Sequence, residues 1–355
     1  MSALLISYLA LAVVITGTGV FFIRRWAVRR VFLRTLNLKL LNIRLPKKPK
    51  VENDEAFKEI NVSGQLFSIL AGSKIPIALE IAVHNIGEEI HFYAAVPANA
   101  IEFVKRQIQG FWPDAQVMIS DDYTIFNPGG AIESAFLKTK QPYYLPIRSY
   151  AEAQVDTFLP ILSDFSKLES VGEGLAIQVL LKPAPKSVKE AFTEYLKNLK
   201  KPNEKEPEKA AINTENLKLA EQKITKPLFA VNYRIITSAA TPLRAQEILD
   251  GVLTSFLQFN APSRNEFRAV KAKSSRSFIN KYIFRQFDDN QAMMLGMDEL
   301  VSIFHLPTST TEIPRLTWVK AREAQPPAEI PKSGVMIGES VFRGESKTIR
   351  IGDDD

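Results

Sequence analysis

Alternating hydrophobic and polar residues predict a hairpin in the first third of the chain. Ile, Leu, Ile and Val alternate with smaller or polar residues from Ile77 to Val83, and a second alternation covers residues 90–96. Successive side chains of a strand point to opposite faces, so this period of two indicates two strands. Gly87 and Glu88 lie between them, and Gly adopts the positive φ of a type II′ turn at little cost. We therefore expect a β-hairpin over residues 77–96.

Two strands and two helices are predicted around this hairpin. Residues 36–45 alternate with period two, apart from a phase slip at Leu40–Leu41 that a β-bulge would explain. Residues 54–71 and 98–111 instead repeat apolar residues every three or four positions, which is typical of helices. A short strand over 115–120 completes the order β-α-β-β-α-β, the ferredoxin-like arrangement.

The order of predicted elements repeats in the second half of the chain. Thr241 is a suitable N-cap for one of its helices, because its hydroxyl accepts a hydrogen bond from the first turn. The charged segment 198–226 is interpreted as a solvated linker or a frayed helix. The strands are predicted at 142–148, 175–181, 228–236 and 266–270, and helices at 156–168, 186–200, 274–287 and 298–304. The predicted fold class is α+β, an N-terminal transmembrane helix followed by tandem ferredoxin-like (βαββαβ) domains.

The transmembrane prediction rests on residues 4–23, twenty residues without a charge. As a helix they would span about 30 Å, the thickness of the hydrocarbon core of a bilayer. Positive flanks stay on the cytoplasmic side and Trp suits the headgroup boundary, so the N-terminus is expected outside and the bulk of the chain in the cytoplasm. A cleaved signal peptide would carry its charge before the apolar run. The flanking residues are Arg24, Arg25, Trp26, Arg29 and Arg30.

Composition adds two restrictions to this picture. The net charge is +6, but residues 24–50 carry ten Lys or Arg and no acid, so the rest of the chain carries −4. The basic balance therefore indicates contact with anionic lipid headgroups and does not by itself indicate nucleic acid. The chain has no Cys, which excludes disulfides, thiol catalysis and cysteine-based zinc sites.

A basic stretch with interleaved aromatic residues is the one candidate for nucleic-acid contact. Such a composition could hold a phosphate backbone and stack bases, or it could be an amphipathic helix with its aromatic residues in the core. The candidate contacts are Arg264, Arg268, Lys271, Lys273, Arg276, Lys281 and Arg285, interleaved with Phe267, Phe278, Tyr282 and Phe284.

Catalytic motifs are absent from the sequence. No G-x-x-x-x-G-K-[ST] phosphate loop, G-x-S-x-G elbow or H-E-x-x-H pair occurs among the 355 residues. His84 and His91 would face each other across the predicted hairpin, but with only His305 besides them they indicate a polar sheet face and no metal site. The sequence predicts a non-catalytic chain with no catalytic residue, metal or cofactor.

Several short motifs along the chain together point to one known family. They are the apolar run 4–23, Ile43-Arg44-Leu45-Pro46-Lys47, His91-Phe92-Tyr93, the segment from Met297 to Pro307 that ends in Phe304-His305-Leu306-Pro307, Pro326-Pro327, Ile337-Gly338 and Phe342-Arg343-Gly344. With these motifs the chain resembles the N-terminal region of bacterial membrane-anchored ATPases of the FtsK–HerA class, which act as conjugative or type IV secretion coupling proteins. The resemblance implies a bacterial inner-membrane location and a chain that ends before the P-loop motor.

This resemblance implies an assembly module that docks the motor or channel at the membrane during DNA or protein transfer. Its partners would be the lipid bilayer, a P-loop motor domain or separate ATPase chain and secretion-channel components, with DNA contact and oligomerisation left open. The alternative is a membrane-tethered nucleic-acid-binding protein that uses residues 264–285; an uncharacterised enzyme is a third. The expected domains are an anchor over 1–34, ferredoxin-like domains over 35–125 and 126–290 with a charged insertion at 186–226, and a connector over 291–355.

Overall fold

The computed structural model describes residues 16–19, 37–49, 53–169, 171–200, 207–272, 276–319, 330–331, 333–342 and 345–352. The strands are β1 (Leu38–Arg44), β2 (Ile77–Val83), β3 (Ile90–Pro97), β4 (Gln116–Ser120), β5 (Ala131–Thr139), β6 (Gly174–Pro183), β7 (Leu228–Ala239), β8 (Phe267–Lys271), β9 (Met293–Gly296), β10 (Val335–Phe342) and β11 (Glu345–Ile351). The helices are α1 (Asn53–Gly72), α2 (Ile101–Phe111), α3 (Tyr150–Ala153), α4 (Leu159–Phe165), α5 (Lys186–Leu199), α6 (Pro207–Ile224), α7 (Pro242–Thr254), α8 (Arg276–Ile283) and α9 (Met297–Ile303). Short 3-10 helices cover Ala98–Ala100, Ser255–Phe259 and Asp289–Gln291.

Nine of these strands form one antiparallel sheet. Its order is β4-β1-β3-β2-β6-β7-β5-β8, and β9 pairs with part of β7. When the four strands of each half, β1–β4 and β5–β8, are numbered 1 to 4 along the chain, both halves have the order 4-1-3-2, counted from the outer edge of the sheet. The second strands of the two halves, β2 and β6, pair along their whole length from Ile77 opposite Leu181 to Val83 opposite Leu175. The two halves therefore share a single sheet.

This continuous sheet corrects the predicted fold class of a transmembrane helix followed by tandem ferredoxin-like domains. In two separate domains, β2 and β6 would be sheet edges, and an edge strand leaves a row of backbone N–H and C=O groups unpaired. Instead all seven residues of β2 and the first eight of β6 are buried. Strands that are apolar on both faces belong in the middle of a covered sheet, and joining the halves places them there. The predicted boundary between residues 125 and 126 lies in the connection from β4 to β5.

The structure also corrects the prediction of a single-pass membrane location, together with the membrane, secretion and conjugation roles that depended on it. Across the described ranges, no helix combines the length and the apolar character needed to cross a bilayer. Of the predicted span 4–23, only the helical residues 16–19 are described, and they are exposed. The flanking residues Arg24, Arg25, Trp26, Arg29 and Arg30 lie outside the described residues.

The two faces of the sheet are covered differently. Helices α1, α2, α7 and α9 cover one face, where the largest apolar core forms around residues such as Ile81, Phe92 and Tyr233. The other face has a smaller core, built on residues such as Ala82 and Ile236 and covered by helix α8 and residues 123–126. Both faces of the central strands are buried as a result.

Burial on both faces also explains a local prediction that was wrong. Strand β1 pairs with β3 without a break from Leu38 to Ile43, so no bulge occurs at Leu40–Leu41. The two leucines belong to different cores, Leu40 on one face and Leu41 on the other. A phase slip in a hydrophobic pattern therefore marks a strand covered on both sides.

Two segments of the second half differ from the prediction. The strand predicted at 142–148 does not form, because the buried side chain of Asn265 donates hydrogen bonds to the carbonyls of Gln141, Pro142 and Leu145 and holds them in a loop. The first strand of this half is β5 instead. Part of the segment 198–226, interpreted as a solvated linker or a frayed helix, is helix α6, and the last turns of this helix are not solvated but bury Leu219, Ala220 and Lys223.

A separate two-stranded sheet follows the main one. The sequence predicts strands at 335–337 and 347–351, and the structure confirms both as the longer antiparallel pair of β10 and β11. Four apolar side chains of this hairpin, Val335, Met336, Ile337 and Ile351, are at least 53% exposed.

Candidate functional site

One end of the main sheet carries the most exposed apolar side chains of the described residues. There β2 turns into β3 through residues 84–89, residues 171–173 lead into β6, and β7 leads into α7. Each of these three connections presents one large apolar residue: Ile86 is 77% exposed, Val171 is 74% exposed and Leu243 is 71% exposed. We call these three residues the loop-end surface.

Hydrogen bonds between the neighbours of these three residues hold the connections together. The Gly172 amide, next to Val171, donates to the Asn85 carbonyl, next to Ile86, at 2.7 Å. The Asn127 side chain donates to the Gly172 carbonyl at 2.8 Å. Gly172 has a φ of +93°, and a Cβ at this position would lie 3.1 Å from the Asn127 amide nitrogen. Glycine therefore allows the close approach that joins these loops.

An ion pair fixes the third connection to the second. Arg244, next to Leu243, donates from Nε to Oε1 of Glu173 at 2.6 Å and from Nη2 to Oε2 at 3.2 Å. Burial raises the pKa of Glu173, but the hydrogen bonds from Arg244 and from the Glu169 amide outweigh burial, and the pKa lies below its usual value. Glu173 is therefore ionised at neutral pH, and the bidentate pair ties α7 to the strand β6.

The charge around the loop-end surface is negative. Its connections and the first two turns of α7 hold five carboxylates, and the guanidiniums beside them are those of Arg244 and Arg315, the second of which lies 3.7 Å from Glu88. Three of the carboxylates, Glu88, Glu89 and Glu247, have side chains at least 53% exposed. The five carboxylates are those of Glu88, Glu89, Glu169, Glu173 and Glu247.

Stacked aromatic rings lie behind this surface, on the less covered face of the sheet. The rings of His84 and His91 stack with centroids 4.9 Å apart, and His84 also stacks on Tyr123 at 5.2 Å. The two histidines approach although the predicted two-residue turn is wrong: residues 84–89 form a longer connection, and His91 is opposite Ala82. Within the described part of the chain, no three His, Asp or Glu residues gather to hold a metal ion.

Burial keeps these histidines neutral. Burial, with the charges of His84 and Arg44, lowers the pKa of His91 to about 4, and burial lowers the pKa of His84 as well. In the unfolded chain His91 binds a proton near pH 6.5, so the stability that it contributes is present above pH 6.5 and is lost as the pH falls towards 4.

We expect His91→Asn to reduce the loss of stability on acidification. The reason is that Asn removes the group whose protonation favours the unfolded chain. Thermal unfolding of both proteins between pH 7 and pH 4 measures the difference. If the two unfolding temperatures fall in parallel over this range, His91 does not cause the loss.

The basic–aromatic stretch is divided between the interior and the surface. Arg264 pairs with Glu152, Lys271 with Asp250 at 3.0 Å, and Lys281 with Asp288 at 2.7 Å. Phe278 and Tyr282 are buried, while Phe267 and Phe284 are partly buried. Of the remaining candidate contacts, Arg268 and Arg276 are exposed and Lys273 lies outside the described residues. The structure does not gather the six predicted cations that it describes on one surface.

Arg285, the last of these cations, belongs to a buried polar network. It donates to both carboxylate oxygens of Glu80, from Nε at 2.9 Å and from Nη2 at 3.2 Å. Tyr123 and Gln178 donate to the same carboxylate at 3.0 and 2.7 Å. Burial lowers the pKa of Arg285, but the charge and hydrogen bonds of Glu80 outweigh burial and raise it above its ordinary value. The guanidinium of Arg285 therefore remains charged, and it pairs with the carboxylate of Glu80.

Arg234 extends this network across the sheet. Its side chain is fully buried and donates to Gln178, Asn232 and Gln291 and to the carbonyls of Lys281 and Gln286. Burial lowers the pKa of Arg234 to about 10, so it remains charged at neutral pH. Glu80, Gln178 and Arg234 lie opposite one another in adjacent strands and hold residues 281–291 onto the sheet.

Two cavities in the described part of the chain differ in their lining. A cavity of about 540 Å³ lies between the end of α6 and the start of α9. Lys223 pairs there with Glu299 at 2.8 Å, both side chains being at most 4% exposed, and Lys226 pairs with Asp298. A second cavity of about 500 Å³, at the end of the sheet opposite the loop-end surface, is lined mainly by apolar residues such as Ile77 and Leu181. Neither cavity brings a nucleophile against a base.

Sequence reasoning missed the loop-end surface. The hairpin predicted over residues 77–96 has its strands in the interior of the sheet, and only its turn reaches this surface. A usable signal was present: Ile86 and Val171 each stand alone beside Gly in a polar segment, and Leu243 follows the Thr241-Pro242 start of a helix. Apolar residues without periodicity in turn sequences have no core position to fill.

Comparison with known proteins gives a family. A family model described as "Domain of unknown function (DUF8128)" matches residues 70–319. The curated proteins searched contain no match. Among solved structures, a protein titled as a novel heme-binding protein from Thermus thermophilus aligns over 70% of this chain and 95% of its own length, with 7% identity and a TM-score of 0.18. A TM-score this low carries no argument about fold or ligand.

Proposed function

The chain belongs to the DUF8128 family, and we propose that it is a non-catalytic docking module whose loop-end surface binds a partner protein. The observation that carries the proposal is the gathering of Ile86, Val171 and Leu243, each more than 70% exposed, at one end of the sheet. Single exposed apolar residues are ordinary on protein surfaces, but neighbouring ones mark interaction sites.

The rigidity of the three connections supports a binding role. Association costs less when the binding residues are already ordered. The bonds from Gly172 to Asn85 and from Arg244 to Glu173 order the backbone on both sides of the exposed side chains. The surface thus resembles a preformed set of anchors for a partner.

The acidic border of the surface defines the chemistry of the partner. Glu88, Glu89, Glu169 and Glu247 surround the apolar residues, so a partner with an apolar recess bordered by Lys or Arg is complementary. Opposite charges at the rim of an interface raise the association rate more than the final affinity, and salt screens them. Binding should therefore slow as salt rises, with a smaller change in the dissociation rate.

A docking role fits the way this chain uses its buried charges. Glu80 with Arg285, Lys223 with Glu299 and Asp156 with His305 are all committed to internal pairs. A nucleic-acid role for residues 264–285 has less support, because four of the candidate cations pair with acids. Acidic loops would also repel a phosphate backbone.

Site-specific photo-cross-linking tests the proposal. The photoreactive amino acid p-benzoylphenylalanine replaces Ile86, Val171 or Leu243, one at a time, in cells that produce the full chain. We expect all three positions to cross-link to the same partner, identified by mass spectrometry, because they belong to one surface. Ile86→Asp, introduced beside the photoreactive residue at position 243, should remove the product.

The matched control is the same replacement at Leu257. This residue is 62% exposed but lies after helix α7, away from the loop-end connections. If the three test positions give no product, or only the products seen at position 257, the docking proposal is refuted.

A further inference from the structure

The edge strand β4 is a second surface with an unusual composition. It ends the sheet and pairs only with β1 in the described part of the chain. Its five residues, Gln-Val-Met-Ile-Ser, include no charge and no Pro. Met118 is 47% exposed and Ile119 is 59% exposed, and as successive residues of a strand they point to opposite faces of the sheet.

Natural edge strands usually carry features that prevent pairing with another sheet, such as Lys, Pro or a bulge. The opposite edge of this sheet has such protection, because β8 carries exposed Arg268 and Lys271. Strand β4 has none within its length. The two edges therefore differ in their capacity to accept another strand.

We propose that β4 pairs with the β4 of a second copy of this chain, antiparallel across a two-fold axis, and extends the sheet through the dimer. A two-fold axis normal to the sheet pairs a strand antiparallel with itself, and every outward N–H and C=O then has a partner on the identical strand. Because β4 is uncharged, this pairing opposes no like charges within the strand.

The same symmetry matches the two faces of the sheets. An axis normal to the sheet keeps the helices of both copies on one side, so Ile119 meets apolar groups on that side and Met118 is covered on the other.

The acidic residues next to β4 select the register. Centring the pair on Met118 would place Asp114 of one copy opposite Asp122 of the other, whereas centring it on Ile119 does not. The register centred on Ile119 is therefore preferred.

The absence of cysteine from the sequence permits a direct test of this register. Residues directly opposite across an antiparallel pair have Cβ atoms about 4.5–5.5 Å apart, within reach of a disulfide after a small adjustment. We expect the full chain with Ile119→Cys to form a disulfide-linked dimer under mild oxidation. Leu257→Cys, of similar exposure at 62%, should remain monomeric under the same conditions.

Sedimentation velocity tests the non-covalent dimer of the full chain. The wild type should show a reversible monomer–dimer equilibrium, and Ile119→Lys should weaken it at least tenfold, because the charge would lie on the two-fold axis. The unfolding temperature of the dilute Ile119→Lys protein should match that of the wild type, since the side chain is 59% exposed. Leu257→Lys should leave the equilibrium unchanged.

The dimer and the docking role can fail separately. Ile86→Asp should leave self-association intact, because the loop-end surface is distinct from β4. Three results would each overturn the pairing of β4. They are a wild type that stays monomeric at all concentrations, equal cross-linking of Ile119→Cys and Leu257→Cys, and loss of the dimer in Ile86→Asp. The cross-linking result at residues 86, 171 and 243 would stand in each case.

Discussion

Replacing Glu80 with Ala is expected to destabilise the protein by about 3–5 kcal/mol, the usual cost of removing one partner from a buried ion pair. The Glu80 carboxylate is 1% exposed and accepts hydrogen bonds from Arg285, Tyr123 and Gln178. Without it, the guanidinium of Arg285 would stay desolvated with only Asp122 nearby, at 3.2 Å on the surface side. Urea unfolding of the two proteins measures the difference in the free energy of unfolding.

Two further variants separate the pair from other effects of the substitution. Glu102→Ala removes an exposed carboxylate that lies 3.5 Å from Lys105, and such surface pairs contribute at most about 1 kcal/mol. The double variant Glu80→Met with Arg285→Met should recover part of the loss, because an apolar pair leaves no unpaired buried charge. A cost for Glu80→Ala no larger than that of Glu102→Ala would show that the network does not hold residues 281–291.

Replacing Asp156 with Asn is expected to cost about 3–5 kcal/mol at pH 6 and much less at high pH. Asp156 Oδ1 lies 3.0 Å from Nε2 of His305, and Nδ1 of the same ring lies 2.8 Å from the Leu306 carbonyl. Both ring nitrogens face acceptors, so the folded protein favours the imidazolium. Burial alone would lower the pKa of His305, but the charge and hydrogen bond of Asp156 outweigh burial, and this pKa is raised. Burial alone would raise the pKa of Asp156, but the charge and hydrogen bond of His305 and two backbone hydrogen bonds outweigh burial, and this pKa is lowered.

The two shifts define the pH range in which the pair stabilises the fold. The raised pKa of His305 contributes stability that is complete below about pH 6.5 and is lost as the pH rises through the folded value. The lowered pKa of Asp156 contributes stability that is present above about pH 4 and is lost as the pH falls through its folded value. The pair is therefore most stabilising between about pH 4 and pH 6.5.

Thermal and urea unfolding of wild type and Asp156→Asn at pH 6 and pH 9 measure this dependence. Asn can still accept the backbone hydrogen bonds from Phe158 and Leu159, so the start of helix α4 is preserved. Asp250→Asn is the control, since Asp250 and Lys271 form a pair that is half exposed on both sides. An effect of Asp156→Asn that is the same at both pH values would rule out an ionised His305.

The segment that contains His305 illustrates what a sequence motif can and cannot reveal. Phe304-His305-Leu306-Pro307 carries a resemblance to a family, and in the structure Phe304, His305 and Leu306 are buried. Phe304 contacts Phe67 and Phe158 with ring centroids 6.1 and 5.6 Å apart, and the Leu306 amide donates to the Ser63 hydroxyl at 3.2 Å. The motif joins helix α1 to the second half of the chain.

The local elements of the fold could be predicted, whereas their association could not. The period of two identified the strands from Ile77 to Val83 and from Ile90 to Val96, and Thr241 does accept a hydrogen bond from the Arg244 amide as an N-cap. These features depend on residues close in sequence. The pairing of β2 with β6 depends on strands whose first residues are 97 positions apart, and no local pattern encodes it.

The candidate site was missed for a related reason. A basic stretch looks alike in sequence whether its charges meet solvent or acids, and Arg285 finds its acid 205 residues away at Glu80. Likewise, Ile86, Val171 and Leu243 are isolated residues until the sheet brings their connections to one end. Contacts between residues distant in sequence decide whether the basic stretch is exposed and whether the three apolar residues form one surface.

The shared sheet has a consequence for how the chain is made. Strand β2 emerges from the ribosome well before β6, and at a synthesis rate of about 5–20 residues per second the delay is on the order of 5–20 seconds. Throughout this interval the nascent first half displays an apolar strand with a free edge, a species prone to aggregate or to bind a chaperone. The nascent chain therefore covers the free edge of β2 only after residues 174–183, which form β6, have been synthesised.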